Sequence, residues 1–468
     1  MTSSTRPAAL LITSGLLFAT VAFGQPSDTT YPWDDALINA AQQVTLGPRP
    51  LFLVNDMSTG NAHERRLKSE LLACAAEQTQ WQRSPLTIGH RGAPLQFPEH
   101  TLESYLAGAQ GGAGILECDV TFTADEELVC RHSQCDLHYT TNIVETALAQ
   151  QCSTPPTFDE ATGELTNAAD IRCCTSDITL AEFRTLQGTM EGVNTEATTL
   201  EAYLAGTPPW RTDLYATRGT LMSHADSIAL FQQLGVKMMP ELKAPMVDMP
   251  YTGHSEEGGT QQNFTQKDYA QKLIDEYLAV GINPQDVYPQ SFNLDDVHYW
   301  IENAPTFGAQ AVYLEGRYSD EHFDHNDPAS WQPSMDELVE LGVAILAPPT
   351  WMLLEPNPNF TPTENGSRAE EGAGPSSEDH ARRLQPSRYA QEARDAGLLL
   401  IAWTMERSGP LAEGSEWYHH TTQDVISQEG DILITIDALI NDVGVRGIFT
   451  DWPATVAFFD NCSQRGAP

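Results

Sequence analysis

The sequence predicts an α/β protein built as a TIM-type (β/α)8 barrel, with a disulfide-containing insertion after the early strands. Short apolar runs alternate with helical patterns along most of the chain, as expected of parallel strands joined by crossover helices, and this many units favours closure. The 468 residues suffice for one large core with insertions. Charged and polar residues gather at the ends of the apolar runs, where such a barrel builds its active site.

A leader comes first. Arg6 precedes the apolar run Ala8 to Phe23, which ends in small residues at Gly24; this is the pattern of a secretory signal peptide over residues 1–24. The run falls short of the roughly 20 apolar residues of a spanning helix, so no stable membrane anchor is expected. Residues 25–84 read as an N-terminal extension with a helix from about His63 to Glu77, and the barrel is expected over 85–465. Its strand candidates are Leu86 to Gly89, Ile115 to Phe122, Leu128 to Arg131, Lys237 to Leu242, Asp286 to Ser291, Ala309 to Leu314, Val343 to Ala347, Leu398 to Thr404 and Gly447 to Phe449. Helices are expected between them, at Thr101 to Ala109, His224 to Leu234, Asp268 to Val280, Asp295 to Glu302, Met335 to Leu341, Ser387 to Ala396 and Ile432 to Asp442.

Nine strand signals must fit eight slots. The link Ala124-Asp125-Glu126-Glu127 is too short for a crossover helix, so Ile115 to Phe122 and Leu128 to Arg131 are expected to pair as a hairpin, with the second strand outside the parallel alternation. Two stretches break the repeat: an insertion at about 133–220, read as a cap over the site, and a Pro-, Gly-, Ser- and Glu-rich stretch at about 348–386, read as a mobile surface loop. Five of the eight cysteines fall between Cys130 and Cys174 with no zinc-module spacing, so disulfides pinning the insertion are expected; Cys118, inside a strand pattern, reads as a buried thiol.

Acidic residues number 64 against 25 basic ones, for a net charge of -39. Without clustered Lys and Arg such a surface repels polyanions, which excludes nucleic acid as a partner and disfavours a nuclease. An anionic substrate has to be drawn in locally, by a metal or a few arginines.

Glu117 and Asp119 are two apart on a strand, so both side chains point the same way, into the barrel mouth. Paired carboxylates flanked by Ile115, Leu116 and Val120 repel unless a cation lies between them. Glu241 and Lys243 repeat the geometry on another strand; a third carboxylate would complete an all-oxygen site for one divalent cation, Ca²⁺ or Mg²⁺, and the lysine can neutralise a phosphate. His90 and His132 each close an apolar strand and can share general acid and base work, while Arg91 can fork onto phosphoryl oxygens. His100, His138, His224, His419 and His420 read as ordinary histidines.

Taken in order, His90-Arg91-Gly92, Pro98-Glu99-x-Thr101, Glu117-x-Asp119-Val120, His132, Glu241-x-Lys243, Gln290-Ser291-Phe292, Trp403-Thr404 and Gly447-Ile448-Phe449-Thr450-Asp451-x-Pro453 resemble the signature of the glycerophosphodiester phosphodiesterases, from Leu86 to about Ala457. The resemblance implies a barrel enzyme that hydrolyses small-molecule glycerophosphodiesters to glycerol 3-phosphate and an alcohol with a divalent cation. By position it implies Glu117, Asp119 and Glu241 as metal ligands with Glu99 near the metal, His90 and His132 as the acid-base pair, Arg91 and Lys243 on the phosphate, and a cyclic phosphate on the path. His100 stands where the family usually has Asn, and Ser133 follows His132 where Asp is common, so a hydrogen bond orienting the histidines is expected to come from elsewhere. A lipid-directed phospholipase D-type activity would need an apolar rim, for which Trp210, Tyr215 and Phe231 are available; a non-catalytic binding protein would have lost a site histidine or carboxylate, and none is lost. The leader and cysteines place the protein in a secreted or periplasmic setting; sequence leaves the oligomeric state open.

Overall fold

The computed structural model describes Met1 and residues 33–212, 219–253, 263–360, 381–413 and 416–463. Nine strands form the main sheet: β1 (Ser84–Gly89), β2 (Ala113–Phe122), β3 (Leu128–Cys130), β4 (Lys237–Leu242), β5 (Gln290–Ser291), β6 (Val312–Leu314), β7 (Ile345–Ala347), β8 (Leu399–Met405) and β9 (Gly447–Thr450). Strands β1, β2, β4, β5, β6, β7, β8 and β9 are parallel neighbours in that order, and the β9 to β1 pairing closes the barrel. β3 pairs antiparallel with β2, Val120 opposite Cys130, so the hairpin forms and eight parallel strands remain.

Side chains of Ile88, Ile115, Met239, Val312, Leu314, Ile345, Ile401 and Phe449 fill the barrel interior, which is a packed core rather than a channel. A second apolar layer lies between the strands and the outer helices, Leu102–Gln110, His224–Leu234, Gln266–Val280, Leu294–Asn303 and Pro453–Ser463 among them. Where helices start, Thr101, Ser223, Thr265 and Ser334 accept hydrogen bonds from first-turn amides, which is why the apolar periodicity begins one residue later.

The strand predicted over Asp286 to Ser291 contracts to Gln290–Ser291. Pro284–Asp286 closes as a 3-10 turn and Pro289 lacks an amide donor, so Val287 makes only an isolated bridge to Met238 before Gln290 and Ser291 join the ladder. The stretch read as a mobile loop is ordered at both ends: Thr350–Leu353 is helical, and Leu354–Pro356 pairs antiparallel with Leu384–Pro386. Its middle, 361–380, lies outside the described residues, as does the predicted leader beyond Met1. Among the described residues no helix is long and apolar enough to cross a membrane.

The segment after β3 carries a core of its own, built on Leu137, Ile143, Leu165, Phe183, Tyr203 and Leu221. Bonds Cys135–Cys174 and Cys152–Cys173 staple it. Cys118, expected as a free buried thiol, is instead bonded to Cys130: the hairpin register sets their Cα atoms 5.2 Å apart. Cys74–Cys462 ties the N-terminal helix Ala62–Glu77 to the C-terminal helix Pro453–Ser463, closing a loop of 388 residues. Because so long a loop restricts the unfolded chain strongly, Cys74→Ser is expected to cost about 2–5 kcal/mol, read as a lowered thermal midpoint with the fold retained at low temperature.

Candidate active site

The site begins with register. Asp119 on β2 sits directly beside Glu241 on β4, Glu241 beside Gln290 on β5, and Glu117 lies two residues before Asp119 on the same face. One carboxylate oxygen from each of Glu117, Asp119 and Glu241 lies within 4.8 Å of the others, and all three residues are buried. Burial, with Asp119 and Glu241 close by, raises the Glu117 carboxyl well above the usual range. Glu241 is pushed up to about 7 by burial, against the pull of Lys243, whose Nζ is 2.6 Å from Glu241 Oε1. Burial also opposes ionisation of Asp119, but Lys243 and His100 outweigh it and hold that carboxyl well below its usual range.

Two donors fix Glu117: the Arg91 amide to Oε2 at 2.9 Å and Gln290 Nε2 to Oε1 at 2.8 Å. Asp119 Oδ1 is buried with no hydrogen-bond partner. An unpartnered buried oxygen inside a cluster of like charges fits a hard divalent cation, which would take oxygens from these three residues. Glu99 is not in the cluster; it faces Arg91, whose Nη1 donates to Glu99 Oε2 at 2.9 Å.

His90 follows β1, and its Nδ1 donates to Asp451 Oδ1 at 2.5 Å. Asp451 follows β9, the strand paired with β1. With a carboxylate accepting at Nδ1, the neutral ring carries its proton there and leaves the Nε2 lone pair toward Glu117, 3.9 Å away. Burial, opposed by Asp451, lowers His90 to about 4, so the ring is neutral at physiological pH. His132, after β3, is lowered well below its usual value by burial, Arg91 and Lys243. A cavity of about 80 Å³ is lined by the polar side chains of His90, Arg91, Glu117, His132, Glu241, Lys243 and Thr404, together with Phe292, Leu314, Trp403, Tyr418 and Phe449. The structure thus brings together every sequence-derived site residue, Glu99 joining through Arg91.

The profile of the glycerophosphoryl diester phosphodiesterase family matches residues 90–455. The chain belongs to this family. An "Extracellular protein" of Arthroderma benhamiae is 37% identical over 277 residues, 58% of this chain and 99% of that relative. "Probable glycerophosphodiester phosphodiesterase 1" of Mycobacterium tuberculosis is 46% identical over 50 residues, 11% of this chain and 18% of its own length. Among solved structures, an Oleispira antarctica phosphodiesterase in complex with the product sn-glycerol-3-phosphate aligns with TM-score 0.43 and 16% identity, covering 81% of this chain and 97% of that one. A glycerophosphodiester phosphodiesterase from Agrobacterium tumefaciens aligns with TM-score 0.40 and 16% identity over 79% and 97%.

Sequence reasoning missed several residues of this glycerophosphodiester phosphodiesterase. His100, read as ordinary, is fully buried and its Nε2 is 2.9 Å from Asp119 Oδ2, while Nδ1 meets Tyr105 Oη at 3.0 Å. Its backbone is left-handed, φ 56°, which aims the ring back at β2; its position between Glu99 and Thr101 was the available signal. Asp451 stood inside a recognised motif without a role and supplies the hydrogen bond to His90. Glu191, Arg211 and Arg407 gave no motif signal, and the insertion brings the first two to the site. Of the rim a lipid substrate would need, Phe231 is core, packed edge-on against Tyr105 at 4.8 Å, and Tyr215 lies outside the described residues. Trp210 is 41% exposed.

If the triad holds a cation, Ca²⁺ or Mg²⁺ should raise the thermal midpoint by mass action, and Glu241→Ala should abolish that increment without unfolding the metal-free protein. Equal stabilisation of variant and wild type would place the cation elsewhere.

Proposed function

We propose that this phosphodiesterase cleaves small-molecule glycerophosphodiesters by histidine acid-base catalysis beside one divalent cation, Ca²⁺ or Mg²⁺, held by Glu117, Asp119 and Glu241. The observation that supports the reading is an Asp-oriented, neutral His90 that lines one cavity with Glu117 and Glu241 of the carboxylate triad and two cationic side chains, Arg91 and Lys243. When bound, the cation supplies charge stabilisation to the phosphoryl oxygens. Arg91 offers a fork of donors and Lys243 a point charge to the same phosphate. Glu99 holds Arg91 in place rather than serving as a ligand.

His90 Nε2 takes the proton of the glycerol 2-hydroxyl as that oxygen attacks phosphorus, and the bond to the head-group oxygen breaks as His132 gives it a proton; His132 enters the step protonated because the bound phosphodiester anion offsets Arg91 and Lys243, which oppose its charge in the free site. A cyclic phosphate results. Water then loses a proton to His132 while attacking phosphorus, and His90 returns its proton to the departing glycerol oxygen, so both histidines end as they began. Asp451 keeps the His90 tautomer and stabilises the ring while it is charged.

The setting is outside the cytoplasm, with residues 1–24 removed as a signal peptide. Four disulfides among the described residues and likeness to a relative named as an extracellular protein support this.

Release of glycerol 3-phosphate from glycerophosphocholine should stop on chelation and return with Ca²⁺ or Mg²⁺. His90→Ala and His132→Ala should each lose about 10²–10⁴-fold in kcat while keeping metal-induced thermal stabilisation. Near-normal turnover in either variant would overturn the assignment. Asp451→Asn should lower kcat with little change in KM, because it misorients the ring rather than removing a phosphate contact.

A further inference from the structure

A single oxygen of the insertion lies among three arginines. Glu191 Oε2 is 2.6 Å from Arg407 Nη2, 3.1 Å from Arg211 Nη2 and 4.0 Å from Arg91 Nη1. The three guanidinium side chains are 11%, 5% and 5% exposed, and Glu191 is 25% exposed. Arg407 also reaches Asp451 Oδ2 at 3.1 Å and Glu99 Oε2 at 3.8 Å, and Arg211 lies 4.0 Å from Asp451 Oδ2. The three guanidiniums are thus met by the carboxylates of Glu191, Glu99 and Asp451, with Asp119 Oδ2 3.6 Å from Arg91 Nε, and loss of Glu191 would make the group more positive by one charge.

Glu191 is held where it stands. The next residue, Gly192, has φ +132°, a Cβ there would lie 2.7 Å from the Gly206 carbonyl oxygen, and its amide donates to the Tyr139 carbonyl at 3.2 Å. Arg211 is clamped by its Nη1 donating to the Pro94 carbonyl at 3.2 Å. The carboxylate therefore sits on a turn wired into the disulfide-stapled insertion, not on a mobile tip.

We propose that Glu191 is a resident anion: it occupies, with the protein's own carboxylate, a place among three arginines that a free phosphate would otherwise favour, and so sets the site to accept a singly charged phosphodiester and release the doubly charged monoester product. This rests on the phosphodiesterase reading of the same site. Substrate phosphate carries one negative charge and glycerol 3-phosphate two above a second pKa of about 6. A fixed negative charge opposes both, and opposes the product twice as strongly in energy.

The test is calorimetric titration of wild type, Glu191→Gln and Arg211→Met with glycerol 3-phosphate and with inorganic phosphate at pH 8 in the presence of Mg²⁺, alongside KM for glycerophosphocholine. Coulomb energy scales with ligand charge, so Glu191→Gln is expected to lower KM about threefold and tighten glycerol 3-phosphate about tenfold. Arg211→Met, which leaves Glu191 in place and removes a positive charge, is expected to move product affinity the other way, and it carries the test alone if the first variant does not fold. Unchanged or weaker product binding in Glu191→Gln, or tighter binding in Arg211→Met, would overturn the proposal. Failure of wild type to release glycerol 3-phosphate would instead overturn the underlying activity, which the titrations do not use.

Discussion

Three buried carboxylates held together against their mutual repulsion are the constraint on which the rest of the site depends. The β2 to β4 register forces Asp119 and Glu241 side by side, and strand periodicity adds Glu117. Buried like charges left uncompensated would cost several kcal/mol, so their surroundings have to answer them. Lys243 meets Glu241, His100 meets Asp119, and Gln290 with the Arg91 amide meets Glu117. Two of these groups are themselves anchored: His100 by Tyr105, and Arg91 by Glu99. Asp119 Oδ1, inside the cluster where a cation would lie, is left without a donor.

The same constraint explains strained backbone near the barrel mouth. Arg91 and His100 both adopt left-handed conformations, φ 52° and 56°, costly for side-chain-bearing residues and tolerated where packing over-determines them. Gly92 at φ +95° completes that turn, and a Cβ there would lie 2.4 Å from Ser104 Oγ. The turn must double back sharply so that Arg91 offers its amide to Glu117 and its guanidinium to Glu99 at once.

Much of this was legible in the chain because it obeys local rules. Strand periodicity places Glu117 and Asp119 on one face, and the five-residue link after Phe122 dictates the hairpin, leaving eight parallel strands. What was not legible depends on contacts between distant segments. Glu191 and Arg407 are 216 residues apart, and nothing in either neighbourhood marks a partner. The Cys118–Cys130 bond needed the hairpin register, not merely the hairpin, to distinguish a bonded pair from a buried thiol. The strand expected over Asp286 to Ser291 was overcalled because its start is the end of the Pro284–Asp286 turn and Pro289 within it lacks an amide.

A continuous line of charge joins the insertion to the barrel: Glu191 to Arg407, Arg407 to Asp451, Asp451 to His90. Asp451 is therefore shared between a ring it must orient and a guanidinium that would otherwise draw it away. The insertion's carboxylate answers part of the Arg407 charge, and Asp451 stays ionised toward His90: burial opposes its charge, but Arg407 and His90 outweigh burial and hold the carboxyl below its usual range. A segment that did this from a flexible loop would fluctuate out of register, which gives the separate apolar core and its two disulfides a purpose beyond stability. The insertion therefore contributes Glu191 to the same line of charge that ends at His90, and its own apolar core and two disulfides hold that carboxylate in place.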